Sequence, residues 1–522
     1  MAIRTVADII REHGRARPDV AAVIYGERTL TYGDFDDRSN RFANGLAAEG
    51  VGPQDRVAYL DRNAPEFVDA MFGAAKVAAV LCPVNWRLAP PEAAFIVNDS
   101  EATVLVVGEE LLPMLDAMAP ELTTVKKTIV VGDDPSGRCE RYDDWLARQA
   151  TTDPGATSTP DDVSLQFYSS GTTGRPKGVM LTNGNLFAGV DANNTSLRFG
   201  ADSVNLVVMP TFHVAGGAWA LMGLYNGVPN VLMRDVDPAA IVRVIPEYGV
   251  THTVLVPAVI QFVLMVPGLD EADFSSMDVL VYGASPISEE ILTKAIRTFG
   301  CDFLQAYGMT ETTGGCVLLP PEDHDPDGPN AHRLRAAGKP GPNTEVRVVD
   351  AATFEDVPTG EVGEIVIRSP QNMKGYWHMP EATAETILEG GWLRTGDAGY
   401  LDADGYVYIH DRVKDMIISG GENVYPAEVE NALMAHPDVA DVAVIGVPDE
   451  RWGETPKAIV VRAPGSDVSA EDVISFARGR VAHYKCPTSV DFVDALPRNP
   501  SGKVLKKDLR APYWEGRERA VN

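Results

Sequence analysis

Between Val57 and about Leu304, short β-rich runs alternate with amphipathic helical stretches, and this alternation constrains the fold more than any other feature of the chain. Val57 to Leu60, Thr103 to Val107, Val204 to Met209, Thr253 to Val256 and Asp278 to Tyr282 are rich in β-branched residues and too short for helices. Strands separated by crossover helices pair in parallel, so an α/β body of two sheet-based lobes is expected. Around Thr344 to Arg368 the pattern changes to short strands broken by Asp350, Pro358-Thr359-Gly360 and Gly363, as in a small β-rich subdomain. A sharper boundary falls at Asp411-Arg412-Val413-Lys414-Asp415. After it come a helix (Pro426 to Ala435), two strands (Val439 to Val447, Lys457 to Val461), a helix (Ala470 to Arg480) and a final strand pair. The expected division is a large body over 1–411, a hinge over 412–415 and a small mobile α+β lid over 416–522, in keeping with the two or three domains that 522 residues suggest. The acid- and proline-rich segment Pro321 to Pro329 reads as a solvated loop.

The run Tyr168-Ser169-Ser170-Gly171-Thr172-Thr173-Gly174-Arg175-Pro176-Lys177-Gly178 is built to hold phosphates. Its hydroxyls are donors, its glycines let the backbone approach an oxyanion, and Lys177 adds a positive charge. It lacks the Walker spacing, since Lys177 is followed by Gly178 rather than by a hydroxyl for magnesium. Its flanks, Val163 to Tyr168 and Gly178 to Leu181, read as strands, so the loop joins a β-hairpin.

A net charge of -29 argues against nucleic-acid partners and requires nucleotide substrates to meet local positive charge. Positive charge does gather in the tail from His483 to Arg510, with Lys485, Arg498, Lys503, Lys506, Lys507 and Arg510. Cys82, Cys139, Cys301, Cys316 and Cys486 form no close pair, which argues against disulfides or a zinc site and suits a reducing cytoplasm. The N-terminus reads as charged helical sequence without a signal segment, and no run reaches membrane-spanning length. A cytoplasmic protein with at most peripheral membrane contact is expected; the oligomeric state, a homodimer included, stays open.

Two further clusters carry chemistry. In Gln305-Ala306-Tyr307-Gly308-Met309-Thr310-Glu311, following a strand expected over Cys301 to Leu304, an aromatic suits a purine, a hydroxyl a phosphate, and a carboxylate the magnesium that accompanies ATP. Gly391 to Asp397 ends in an acid expected at an exposed turn, suited to a ribose diol or, more plainly, to an Asx turn.

In this order the runs resemble the adenylate-forming superfamily of acyl-CoA synthetases, aryl-CoA ligases, beetle luciferases and peptide-synthetase adenylation domains. Matching segments are Tyr168 to Gly178, Pro210-Thr211-Phe212-His213, Gly283-Ala284-Ser285-Pro286, Gln305 to Glu311, Gly396-Asp397, Asp411 to Asp415, Ser419 to Pro426 and Pro497 to Lys503, so the likeness spans essentially the whole chain. It is most like a fatty-acid or medium/long-chain acyl-CoA synthetase. The resemblance implies a two-step reaction in which a carboxylate attacks the α-phosphorus of Mg-ATP and a thiol, coenzyme A, then displaces AMP. It places Ser169, Ser170, Gly171, Thr172, Thr173, Gly174 and Lys177 on the β- and γ-phosphates. Gly283, Ala284, Ser285, Gln305, Ala306, Tyr307 and Gly308 would hold adenine, Thr310 the α-phosphate, Glu311 with Ser169 magnesium, and Asp397 with Arg412 the ribose.

Lys503 is the implied catalyst of the first step, since a lysine can set a compact cation where negative charge crowds in the transition state. The plainer alternative is one more surface lysine. Lys414 falls at the implied hinge, and Gly420-Gly421 would line a narrow channel for a pantetheine arm. His213 is expected to gate the acyl pocket or position the carboxylate, against a structural role. The uncharged sequel from Val214 to Met233, with Gly216 and Gly217, would line that pocket and implies an apolar tail. An acyl-CoA synthetase for a hydrophobic acid with an uncharged tail, such as a fatty acid, is therefore expected, ahead of an aryl-CoA ligase, an acyl-AMP ligase loading a carrier protein, a luciferase-like oxygenase, an amino-acid-activating enzyme or a non-catalytic nucleotide-binding scaffold.

Overall fold

The computed structural model describes residues 3–170, 176–412, 415–419, 422–449, 451–498 and 504–515, and not the side chains of residues 170, 411, 412, 418, 422 and 423. Helices begin where a hydroxyl is followed three residues on by an acid: Thr5 and Asp8 cap Val6–Ala16, Thr31 and Asp34 cap Tyr32–Ala48, and Ser469 and Asp472 cap Ala470–Arg478. Several end on a left-handed glycine, as Val214–Asn226 does on Gly227 and Glu289–Phe299 on Gly300.

Two large sheets form the body. The 8-stranded sheet runs Gly375–Tyr376, Pro176–Thr182, Val163–Ser170, Val80–Pro83, Arg56–Leu60, Val104–Gly108, Lys127–Val131, Glu140–Arg141. The 9-stranded sheet runs Lys339–Pro340, Gly314–Leu319, Asp302–Met309, Val279–Gly283, His252–Leu255, Asn205–Val207, Asn230–Leu232, Ala21–Tyr25, Arg28–Thr31. Their central pairs are parallel, as is the outer pair of Lys127–Val131 and Glu140–Arg141, whereas the phosphate-loop hairpin with Gly375–Tyr376 and both ends of the 9-stranded sheet are antiparallel. The alternation in the sequence reports this arrangement directly, because each parallel pair needs a crossover. One apolar cluster, with Phe42, Phe72, Tyr59, Phe167, Leu181, Trp219 and Leu304, joins the two sheets through the helices packed between them.

The expected β-rich subdomain is a 4-stranded antiparallel sheet of Glu345–Val349, Gly363–Arg368, Leu393–Leu401 and Val407–Arg412. Past it, Ile417–Ser419 and Glu422–Val424 form a small hairpin that joins Gly453–Arg462, Val439–Asp449 and Ser489–Phe492 in a last sheet. Both long strands exceed the expected ones, and the expected final strand pair is one strand, Ser489–Phe492, plus a bridge between Arg498 and Val504. The sheet has its own core, with Ile417, Val429, Leu433, Val444, Val460 and Val473.

Three expectations fail on tertiary grounds. Pro321 to Pro329 is not simply a solvated loop: Asp323 and His324 are buried, Asp323 accepting from Tyr406 and Arg333 and His324 lying against Tyr282. Gln305 to Met309 does not follow its strand but lies on it, since the strand is Asp302–Met309. Asp397 is not at an exposed turn; it sits within Leu393–Leu401 and is 7% exposed.

Candidate active site

The hairpin of Val163–Ser170 and Pro176–Thr182 carries Ser169 and Lys177 opposite each other at its end, in register. Gly171, Thr172, Thr173 and Gly174 lie outside the described residues, as does the side chain of Ser170. Just past the strand Asp302–Met309, a 3-10 turn over Thr310–Thr312 holds Thr310 and Glu311. Thr312 closes that turn, taking the Met309 amide at 2.9 Å and donating to the Gly314 carbonyl at 2.9 Å. Gly308 allows the return strand to pass, because a Cβ there would lie 1.9 Å from the Gly314 carbonyl oxygen.

The two elements meet at Glu311. Its side chain, in a residue 5% exposed, accepts on Oε1 both the Ser169 hydroxyl (3.1 Å) and the Tyr376 hydroxyl (2.9 Å). Lys177 Nζ lies 4.7 Å from the centre of the Tyr376 ring, within cation–π range. Tyr376 comes from the two-residue strand Gly375–Tyr376, which pairs with Val179 and Met180 of the hairpin. Successive residues of a strand face opposite sides. Accordingly Trp377 turns to the far face, where its indole donates to the Asp99 carbonyl at 2.9 Å and the Arg56 guanidinium stacks on it at 3.4 Å. On that same side Tyr168 donates to Asp99 Oδ2 at 2.7 Å, and burial beside Asp99 and Cys82 pushes its hydroxyl pKa far up, so it stays a donor.

The residues expected to take adenine and ribose lie at the ends of neighbouring strands or in the 4-stranded sheet. Gly283 pairs with Ala306 across parallel strands, and a Cβ on Gly283 would lie 2.1 Å from the Ala306 carbonyl oxygen. Ala284 takes the left-handed region at φ 66°, turning the chain towards Ser285. The Tyr307 hydroxyl donates to Asp397 Oδ2 at 2.8 Å, and Asp397 stands opposite Arg412 in the strand register. Gln305 is fixed from behind by the Tyr282 hydroxyl at 3.1 Å, itself 3.0 Å from His324 Nε2. The His324 Nδ1 donates to the Pro320 carbonyl, so Nε2 of the neutral ring is an acceptor that shares the one Tyr282 hydroxyl proton with Gln305 Oε1; burial lowers this histidine's pKa to about 4.

His213 precedes the helix Val214–Asn226, which carries no charge along its length. Its Nε2 is buried with no hydrogen-bond partner, and burial, with Arg87 nearby, lowers its pKa to about 4, so the ring is neutral at physiological pH. Val214 touches the opposite wall, 3.2 Å from where a Cβ on Gly314 would stand. Gly216 and Gly217 are closely packed on the side facing Pro210 and Thr211. A Cβ on Gly216 would lie 2.2 Å from the Pro210 carbonyl oxygen, and one on Gly217 lies 2.7 Å from that of Thr211, so they let the helix press onto the loop bearing His213. That loop is tied across the lobes by buried Asn63, which donates to the carbonyls of Val208, Met209 and Met233 and accepts the Thr211 amide.

Lys503, Lys414, Gly420 and Gly421 lie outside the described residues, as does the Arg412 side chain. Around them the basic tail proves to be internally paired: Lys485 with Glu428 (2.7 Å), Arg498 with Asp441 (2.6 Å), Lys506 with Glu430 (2.9 Å) and Arg510 with Asp415 (2.9 Å). Sequence reasoning missed Tyr376, Trp377, Asp99 and Asn63. Only the alternation of two large aromatics after Gly375 hinted at the first two; Asp99 and Asn63 carry no local signal.

The donor set fits a hard cation brought with a nucleotide. Glu311 and Ser169 are oxygen donors, and among the described residues no cluster of three or more His, Cys, Asp or Glu could cage a metal by itself. Among the described residues no helix is long and apolar enough to cross a membrane.

Comparison with known proteins agrees with this geometry. A family model described as AMP-binding enzyme matches residues 10–377, and a second, AMP-binding enzyme C-terminal domain, matches residues 428–503. The chain is 41% identical to a fatty acid–[acyl-carrier-protein] ligase of Streptomyces coeruleorubidus over 100% of its own length and 98% of the relative's. It is likewise 41% identical to a feruloyl-CoA synthase of an Amycolatopsis species, over 96% and 97% of the two chains. Among solved structures, the anthranilate CoA ligase AuaEII in complex with anthranoyl-AMP superposes with a TM-score of 0.89 at 28% identity, covering 98% of this chain and 97% of that one. With both family models matched in order and relatives aligned end to end, the chain belongs to the AMP-binding enzyme family, the adenylate-forming ligases that its motifs resemble.

Proposed function

We propose that the protein is an ATP-dependent acid–thiol ligase that activates a hydrophobic carboxylic acid as its acyl-adenylate and transfers the acyl group to coenzyme A. The observation that carries this reading is the convergence of Ser169, Lys177 and Glu311 at one end of the hairpin beside the Tyr307–Asp397 pair. In the first step a carboxylate oxygen of the acid attacks the α-phosphorus and the bond to pyrophosphate breaks. In the second the thiol sulfur attacks the acyl carbon, losing its proton, and AMP leaves.

Lys177 would hold the β- and γ-phosphates with Ser169, Ser170 and the loop Gly171 to Gly174. Thr310 would contact the α-phosphate, and Lys503 would stabilise the charge that gathers there. Gly283, Ala284, Ser285, Gln305, Ala306 and Gly308 would frame the adenine, with Tyr307 against its face and Asp397 with Arg412 on the ribose. Glu311 and Ser169 would hold magnesium, which when bound offsets phosphate charge during attack. The neutral His213 would donate one hydrogen bond from its otherwise unpartnered Nε2–H to the acid's carboxylate, and the uncharged wall beginning at Val214, Gly216 and Gly217 would take its tail. Lys414 would be the hinge of a lid over 416–522, and Gly420 and Gly421 the pantetheine channel.

The test is AMP release over a panel of fatty, aryl and steroid-side-chain acids, with and without coenzyme A. Thioester formation from an apolar acid is expected. Activation of free amino acids alone, with no fatty or aryl acid turned over, would sink the reading. The relative that serves an acyl-carrier protein supports a second reading, transfer to a carrier-protein thiol, which product analysis with each acceptor distinguishes.

A further inference from the structure

Tyr376 touches both charged groups of the phosphate end of the site, through different parts of one side chain. Its hydroxyl donates to Glu311 Oε1 at 2.9 Å, and its ring lies 4.7 Å from Lys177 Nζ. The residue is 7% exposed, and its backbone is clamped into the hairpin edge by pairing with Val179, while the neighbouring Trp377 amide donates to the Gly178 carbonyl at 2.7 Å. Opposite charges held against one phenol attract each other strongly. Yet no ion pair joins Lys177 to Glu311 among the described residues, and both hydroxyl donors to Glu311 reach the same oxygen, Oε1.

We propose that Tyr376 is a positioning residue that keeps Lys177 and Glu311 apart, presenting the ammonium to phosphate and the second carboxylate oxygen to the metal. The ring offers Lys177 a resting place by cation–π attraction that a phosphate oxygen readily displaces, because this attraction is weaker than a charge-assisted hydrogen bond. The hydroxyl, with that of Ser169, engages Oε1, and the proposal assigns the cation to Oε2. Neither contact is with substrate, so the tyrosine acts through its two neighbours. The inference rests on the nucleotide-binding reading above and adds to it a cause for the absence of an ion pair between Lys177 and Glu311 among the described residues.

The experiment is a double-mutant cycle read by calorimetric binding of metal-free ATP, alongside the magnesium dependence of AMP release. Tyr376→Leu removes both ring and hydroxyl, and Lys177 should close onto Glu311, weakening metal-free ATP by about tenfold. Adding Glu311→Gln removes the competing carboxylate, so the double variant should bind metal-free ATP within about threefold of Glu311→Gln alone. Tyr376→Phe keeps the ring, should leave metal-free ATP binding unchanged, and should raise the magnesium needed for AMP release by about tenfold. If Tyr376→Leu costs the same in the wild-type and Glu311→Gln backgrounds, the tyrosine merely packs and the proposal falls. Should Tyr376→Leu not fold, the Phe variant decides: unchanged magnesium dependence overturns the role. A wild-type protein that binds no ATP would overturn the nucleotide reading itself, an outcome distinct from additive variants in an ATP-binding protein.

Discussion

At the scale of single residues, Glu311 is the side chain on which most of the site depends. Glu311→Gln keeps the shape and both hydroxyl donors but removes the charge, so the magnesium requirement should rise roughly 10- to 100-fold in both directions of adenylation. An unchanged magnesium titration would take Glu311 out of the metal site. His324 makes a second prediction, about stability. Its pKa falls from 6.5 to about 4 on burial, so the unfolded chain takes up a proton at a pH where the folded ring cannot. Stability should therefore be level above pH 7 and decline as pH drops through the interval from 6.5 to 4, by roughly 3 kcal/mol at most from this group. His324→Asn, which keeps a donor towards Pro320, should flatten the acid limb of a Tm-against-pH curve; an unaltered limb would assign the loss to other groups. Of these residues Glu311 was legible in the sequence because its neighbours form a motif. His324 was not, because its acidic, proline-rich surroundings look solvated until Tyr406 and Arg333 are seen to neutralise and bury Asp323.

At the scale of elements, local signals were reliable where backbone chemistry dictates them. The hairpin under the phosphate loop, the capped helices and the parallel strands all follow from patterns of a few residues. Elements whose extent is set by partners were misjudged: Asp302–Met309 runs through the motif expected beyond it because Gly314–Leu319 pairs alongside, and Asp397 is drawn into a strand by its neighbours in the 4-stranded sheet. That pairing yields a sharp prediction. Gly308→Ala places a methyl carbon 1.9 Å from a backbone carbonyl that cannot swing away, so thermal or denaturant melts should show a loss of about 1–3 kcal/mol or more. Gly249→Ala tests a different cost: its Cβ meets nothing within 4 Å, so only the left-handed φ of 61° opposes it. A smaller loss at Gly249 than at Gly308 would confirm that close approach, not backbone conformation, governs the motif glycine.

At the scale of the whole molecule, the proposed division into body, hinge and lid predicts that the two half-reactions separate. Lys503→Ala should slow acyl-adenylate formation by roughly 100- to 1,000-fold while sparing thioester formation from supplied acyl-adenylate. Lys414→Pro should do the reverse, since a fixed φ hinders the hinge but leaves the adenylation pose reachable. Equal loss of both halves in each variant would refute lid alternation. The ionic pairing of the tail bears on this motion. The acids that answer Lys485, Arg498 and Lys506 are Glu428, Asp441 and Glu430, inside the proposed lid, and Arg510 pairs with Asp415 at the last position of the proposed hinge. A lid that brings its own counterions can swing without breaking the first three pairs, so its equilibrium should respond little to ionic strength. It also makes the segment a transplantable cassette: exchanged with the corresponding part of a relative, it carries its electrostatic balance along and leaves behind no orphaned charge from these pairs.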